Sequence, residues 1–205
     1  YKKDVYLYTG DAYYKAGQVE RAEQIYKAYL SQDTNTEIIS SLMSSLLDQQ
    51  KYDEMNQYLS SVSDDNSLSY LKGVAAMGLK KYDEAETHFQ KVLANGDKGL
   101  STKVYLNRVR NFFLAERYNE AIQAGEQYLS RINPDKEKAI YSEMLDKIGL
   151  SYFRVGKYEQ ARSYYSKIAS MKGYEVYGKF QIADSYYNEK NYAKAGELYK
   201  SIYNN

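Results

Sequence analysis

The sequence predicts an all-α protein, an α-solenoid of about six helix-turn-helix repeats. Three observations predict it. A Tyr-x-x-Ala pattern returns along the chain as "YDEA", "YNEA", "YEQA" and "YAKA", at intervals of 34 to 40 residues. A single proline in 205 residues leaves room for long uninterrupted helices. Around each pattern, apolar side chains recur at steps of three and four, which places them on one helix face.

Taking the Ala of the pattern as an anchor, the six anchors are Ala22, Met55, Ala85, Ala121, Ala161 and Ala195. Three residues earlier stand Val19 and then Tyr52, Tyr82, Tyr118, Tyr158 and Tyr192. Four later stand Tyr26, Leu59, Phe89, Gly125, Tyr165 and Tyr199, and seven later Tyr29, Val62, Val92, Tyr128, Ile168 and Ile202. These share the inner face of each unit's second helix. Twelve before the anchor stand Gly10, Met43, Gly73, Val109, Gly149 and Ala183, and nine before it Tyr13, Leu46, Ala76, Phe112, Tyr152 and Tyr186. They share a face of an earlier, first helix. The small residue at twelve before is expected to let the two backbones approach, with a large residue filling the space beside it. Met55, the one large anchor, implies a looser or shifted crossing in the second unit.

Gly17 and Gly156 suit a left-handed helix end, whereas the other four turns lack glycine. Thr34 followed by Glu37 reads as a capping box that opens the second unit. The 30-residue interval after Met55 implies a short second helix or a tight link at "SDDNS", and "ANGDKG" reads as the most flexible link. The 40-residue interval after Ala121 implies a long first helix in the fifth unit, with Asn133 as its cap and Pro134 in its first position. The reading makes residues 1–205 one domain, with repeats at about 3–34, 35–66, 67–99, 101–133, 136–173 and 175–205. The first residue is Tyr rather than Met, and Ala195, Leu198, Tyr199 and Ile202 form an apolar face on the last helix. Both features suggest a piece of a longer chain, or self-association through that face.

The residues quoted resemble the tetratricopeptide repeat (TPR). The likeness lies in Gly-x-x-Tyr of the first helix ("GDAY", "GLSY") and in Tyr-x-x-Ala with Ala-x-x-x-aromatic of the second ("AEQIY", "AETHF", "ARSYY", "AGELY"). It covers essentially the whole chain. The family's early Trp is replaced by Tyr6, Ile39, Ser69, Tyr105, Leu145 and Lys179. The resemblance implies a right-handed superhelix whose first helices line a concave groove. It also implies a protein-interaction scaffold rather than an enzyme. The tyrosine-rich units are similar to repeats in bacterial envelope proteins, which leans the compartment toward the periplasm without excluding the cytoplasm.

Composition narrows the chemistry. Lys and Arg number 28 against 27 Asp and Glu, interspersed along the chain. A nucleic-acid partner calls for a clustered basic face, so none is expected. With no cysteine there is no disulfide, thiolate metal site or Cys nucleophile. "GYEVYGKF" matches a phosphate-binding loop until its last position, where Phe180 replaces the Ser or Thr that would hold magnesium. His88 has no Ser, Asp or Glu partner at a known spacing and reads as a surface residue. Asp64 and Asp65 lack the glycine and distal glutamate of a calcium loop. Glu20 and Glu23 read as exposed charge pairing along a helix. No cofactor, metal or small-molecule substrate is expected.

A partner would instead meet the first helices one step around from their packing face. The candidate groove comprises Leu7, Asp11 and Tyr14 of the first unit, Leu47 of the second, and Tyr70, Val74 and Met77 of the third. It continues with Leu106, Arg110 and Phe113 of the fourth, Leu150 and Phe153 of the fifth, and Phe180, Asp184 and Tyr187 of the sixth. Arg110 is the one cation in this set. A grip on a C-terminal carboxylate is therefore disfavoured against an amphipathic helix or an extended apolar peptide. The same residues could equally pack between neighbouring units. A protein or peptide partner in the groove, an assembly role through ends or convex face, and a regulatory region of a larger protein all remain open.

Overall fold

The computed structural model describes residues 1–62, 66–96 and 100–203, with Asn66 and Ser67 described in backbone only. The described residues form twelve α-helices in six pairs. They are α1 (Lys2–Lys15), α2 (Val19–Leu30), α3 (Thr36–Asp48), α4 (Tyr52–Ser60), α5 (Asn66–Gly78), α6 (Tyr82–Ala94), α7 (Ser101–Leu114), α8 (Tyr118–Leu129), α9 (Lys138–Arg154), α10 (Tyr158–Ala169), α11 (Glu175–Asn188) and α12 (Tyr192–Tyr203). They form two compact units, Tyr1–Asp97 and Lys98–Asn205. Within each, every helix packs on its neighbours in sequence, and first helices also touch, α1 with α3, α3 with α5 and α7 with α9. This is the stacked helix-pair arrangement that the periodicity predicts.

The anchors sit at the centre of each pair. Ala22, Met55, Ala85, Ala121 and Ala161 have no exposure and Ala195 has 1%. Met55 has the expected consequence, since α3 and α4 touch far less than the helices of any other pair. Helix α4, which carries Met55, is also the shortest helix among the described residues, at 9 residues. Residues 63–65 of the "SDDNS" link and the "DKG" half of "ANGDKG" lie outside the described residues.

The small residue at twelve before the anchor works differently from the expectation. It makes room for a ring rather than for a backbone. A Cβ on Gly10 would stand 2.2 Å from the Tyr26 ring, one on Gly73 2.6 Å from Phe89, and one on Gly149 3.1 Å from Tyr165. In each case the ring is the residue four after the anchor. Val109 occupies the small position in the fourth unit, and there the later residue is Gly125. Two bulky groups cannot share a space that close packing fills once. Gly125 in turn receives Ile148 of α9, whose side chain would lie 2.5 Å from a Cβ there.

All six turns are built alike. Gly17, Gln50, Lys80, Glu116, Gly156 and Lys190 have φ of 75°, 56°, 60°, 58°, 75° and 67°. Each stands five residues before its anchor. Each closes the first helix with the paired bonds of a Schellman motif. In the first, the Gly17 N–H donates to the Tyr14 carbonyl and the Gln18 N–H to the Tyr13 carbonyl, both at 2.9 Å. Four turns thus hold a side chain in the left-handed region, at a cost of about 1 kcal/mol each. Lys80→Gly or Glu116→Gly is therefore expected to raise stability by about 0.5–1 kcal/mol, read as a higher urea midpoint at unchanged slope.

Two caps differ from the sequence reading. Asn35, not Thr34, caps α3, its Oδ1 accepting from the N–H groups of Glu37 and Ile38 at 3.1 and 3.2 Å. Asn133 caps a separate turn, accepting from the N–H groups of Asp135 and Lys136 at 3.0 Å. Helix α9 begins only at Lys138, so Pro134 lies in that turn. It is nonetheless the longest helix, with 17 residues.

Glu23 is the larger correction. Glu20 is exposed, but Glu23 is 7% exposed and ties the first pair to the second. Its carboxylate accepts from Lys27 at 2.5 Å, Gln49 at 2.7 Å and Lys51 at 2.8 Å. Lys27 also donates to Glu54 of α4. Glu86, one residue after its anchor as Glu23 is, is likewise buried at 8%. In the first pair this position faces the second pair, and helical charge patterning alone does not reveal it.

Candidate functional site

The first helices carry the candidate stripe at fifteen, eleven and eight residues before each anchor. Its residues differ sharply in access. Leu7, Val74 and Leu106 are only 4–5% exposed and belong to the packing between helices. Asp11, Tyr14, Leu47, Tyr70, Met77, Arg110, Phe113, Leu150, Phe153 and Asp184 are half-buried. Phe180 and Tyr187 are exposed at 45% and 55%, beside Val176 at 65% on the same helix.

The rings at eight before the anchor brace the turns. Phe113 meets Tyr118 edge-on at 5.5 Å, Phe153 meets Tyr158 at 5.4 Å and Tyr187 meets Tyr192 at 5.2 Å. The partner is always the tyrosine three before the same anchor. Such edge contacts contribute roughly 0.5–1.5 kcal/mol each beyond buried area. The five-residue offset therefore stacks one ring from each end of the left-handed turn. In these three units the stripe aromatics contribute to packing while leaving an edge toward solvent.

The polar members link helices. In the first unit the Tyr26 hydroxyl donates to Asp11 at 2.7 Å, and in the sixth Tyr199 donates to Asp184. Burial first and the facing carboxylate second push the Tyr199 hydroxyl up to about 12. Tyr14 reaches Asp48 of α3 at 2.6 Å. Arg110 holds Glu143 of α9 through two bonds of 2.5 Å and Asn107 through one of 2.8 Å. Its guanidinium is thus already engaged by a bidentate carboxylate. Asp146 of α9 accepts from Tyr177 of α11 and lies 3.3 Å from the Lys147 ammonium. Lys147 stands over the Phe113 ring at 5.2 Å. Beside this network, a pocket of about 410 Å³ is lined by Ser142, Glu143, Asp146, Ile168, Tyr174 and Tyr177, among others.

Sequence reasoning missed Glu143 and Tyr177 as partners of the stripe. Both stand eighteen before their anchors, and that shared offset is the signal that could have found them. Asp48 and Lys147 share no offset with any other partner and carry no such signal.

Tyr165 exposes a fault in the pattern. Its hydroxyl is buried without a hydrogen-bond partner. The equivalent rings Tyr26 and Tyr199 find an aspartate eleven before the anchor, but here that residue is Leu150. Burial accordingly pushes the Tyr165 hydroxyl upward most of all. An unsatisfied buried hydroxyl costs roughly 1–3 kcal/mol. Tyr165→Phe is expected to stabilise the chain by about 1 kcal/mol, whereas Tyr26→Phe is expected to destabilise it, both read from denaturant unfolding.

The site has the features of interhelix packing and of an apolar face. Among the described residues no three His, Asp or Glu side chains converge to hold a metal ion. Gly178 and Lys179 of the phosphate-loop-like stretch lie inside α11. One tetratricopeptide repeat model matches residues 70–137 and 147–204, and a second matches residues 4–36.

The chain belongs to the tetratricopeptide repeat family.

Solved structures agree on the TPR fold. The chain is similar to the C-terminal part of a TPR repeat-containing protein from Cytophaga hutchinsonii, with TM-score 0.74 and 16% identity over 96% of this chain and 77% of that one. A tetratricopeptide repeat protein from Parabacteroides merdae gives 0.69 and 16%, over 98% and 77%. PilF of Pseudomonas aeruginosa gives 0.54 and 19%, over 98% and 75%. At such identities the likeness concerns the fold alone. A search of curated proteins found no match. Among the described residues no helix is long and apolar enough to cross a membrane.

Proposed function

We propose that this TPR chain is a non-enzymatic interaction scaffold that receives a peptide or helix of a partner protein along its first helices. The observation that carries the reading is the stripe on α11. Val176, Phe180 and Tyr187 lie at steps of four and seven and remain 65%, 45% and 55% exposed. Large apolar side chains held open on a rigid helix suit the i, i+4, i+7 anchors of a docked amphipathic helix. Half-buried Phe153 and Phe113 extend the face toward α9 and α7. Arg110 acts through Glu143 and contributes no free cation, which favours an apolar segment over a terminal carboxylate. Nucleic acid is not a partner in this reading, and the bacterial envelope is the proposed compartment.

The test uses Phe180→Ala with Tyr187→Ala. Both side chains are exposed enough for the helices to persist, which circular dichroism checks. A partner captured by the unaltered chain is titrated against both proteins. A loss of affinity of about tenfold or more is expected for two anchor residues. Unchanged binding would remove the stripe from the interface. Assembly through the ends of the array is the second reading, and a separate set of residues favours it.

A further inference from the structure

Within the two compact units, α3, α5, α9 and α11 each carry a line of residues that meets the second helix of the preceding pair. Seventeen before the anchor, Ile38, Leu68 and Met144 are 0–1% exposed and Gly178 is buried. Ten before it, Ser45, Ala75, Ser151 and Ser185 have no exposure. The contacts that bury them have a fixed register. The residue one after an anchor meets the residue six before the next, as Glu23 meets Gln49 at 2.7 Å and Arg162 meets Glu189 at 2.9 Å. Four after meets thirteen before, as Gly125 meets Ile148. Eight after meets seventeen before, as Ala169 meets Gly178.

Helix α1 carries the same line, with Val5 at seventeen before and Ala12 at ten before. Here Val5 is 62% exposed, Tyr8 69% exposed and Ala12 exposed. With Thr9, Tyr13 and Ala16 they wall an open, mainly apolar cleft of about 640 Å³. Helix α12 carries the opposite half. Gly196, one after its anchor, is exposed, and a Cβ built there meets nothing within 4 Å. Tyr203, eight after, is 90% exposed. By contrast Ala195 is buried and Leu198, Tyr199 and Ile202 are half-buried on the helix that packs with α11. The open part of this face is therefore not the one that apolar spacing suggests.

We propose that the two halves form one interface between copies, with α1 of one chain seated on α12 of another in the register by which α11 seats on α10. That register sets Gly196 opposite Ala16, Tyr199 opposite Thr9 and Tyr203 opposite Val5. Each ring meets a smaller side chain, the small residues meet each other, and none of the six carries a charge. The alternation of large and small repeats the logic of Gly125 with Ile148. Because the two surfaces differ, the contact is head-to-tail and leaves a free half at each end of any open assembly. It does not depend on the stripe of α11 receiving a partner.

The experiment is sedimentation equilibrium of the 205-residue chain between about 10 µM and 1 mM, a range suited to a small interface. Its average mass is expected to rise with concentration. Ala12→Glu and Gly196→Glu each place a charge in one half, at exposed positions where the fold has room. Each variant alone is expected to associate at least tenfold more weakly. An equimolar mixture is expected to form dimers, through the intact α12 of the first and the intact α1 of the second. A monomeric unaltered chain throughout the range overturns the proposal. So does Ala12→Glu associating as the unaltered chain does, which would indicate a contact that does not use α1.

Discussion

Replacing Gly178 by alanine is expected to destabilise the second compact unit by about 3 kcal/mol. An added Cβ would stand 2.4 Å from the Ala169 nitrogen and 2.6 Å from its Cα. Those atoms are backbone, so no rotamer change relieves the clash. Helices α10 and α11 must separate instead, and the core about Tyr165 and Ile168 opens with them. Alanine has the better helix propensity by about 1 kcal/mol, which offsets part of the cost and no more. Gly196→Ala is the control. It makes the same exchange in α12, where a Cβ meets nothing within 4 Å, and is expected to be neutral or stabilising. A lower denaturation midpoint for Gly178→Ala beside an unchanged or higher one for Gly196→Ala would confirm close approach as the cause. Equal effects would contradict it.

The fold was legible because the solenoid repeats its packing. Anchors, rings and turns return at constant offsets, so weak signals from six units reinforce one another. Met55 shows how far this goes: one large residue at a small position announces the sparse contact of α3 with α4. The turns show where it stopped. Glycine marks only Gly17 and Gly156, yet Gln50, Lys80, Glu116 and Lys190 adopt the same left-handed geometry because tertiary packing overrides their preference. The candidate site was less legible for a related reason. Periodicity tells which helix face a residue occupies, but not what reaches it from the next unit. Arg110 reads as a free cation until Glu143 appears beside it, and Glu23 reads as a surface charge until Lys51 and Gln49 close over it.

Glu23 makes the stability of this chain depend on acid. Burial alone would raise its carboxyl pKa, but hydrogen bonds from Lys27, Lys51 and Gln49 overcome that and hold it at about 2. An unfolded glutamate titrates near 4.5, so the unfolded chain takes up the proton first as pH falls. The contribution is thus complete above about pH 5 and is lost between about 4.5 and 2. Its size is on the order of 2 kcal/mol, because Lys27 and Lys51 are partly open to water and screening weakens them. Glu23→Gln keeps the shape and removes the charge. The measurement is urea unfolding of both proteins from pH 7 to pH 3. Other carboxylates titrate in both and cancel in the difference. That difference is expected to be about 2 kcal/mol at pH 7 and to shrink steadily below pH 4.5. A difference that stays constant with pH would mean that Glu23 contributes by shape and hydrogen bonding alone. The bridge between the first two pairs would then owe nothing to charge.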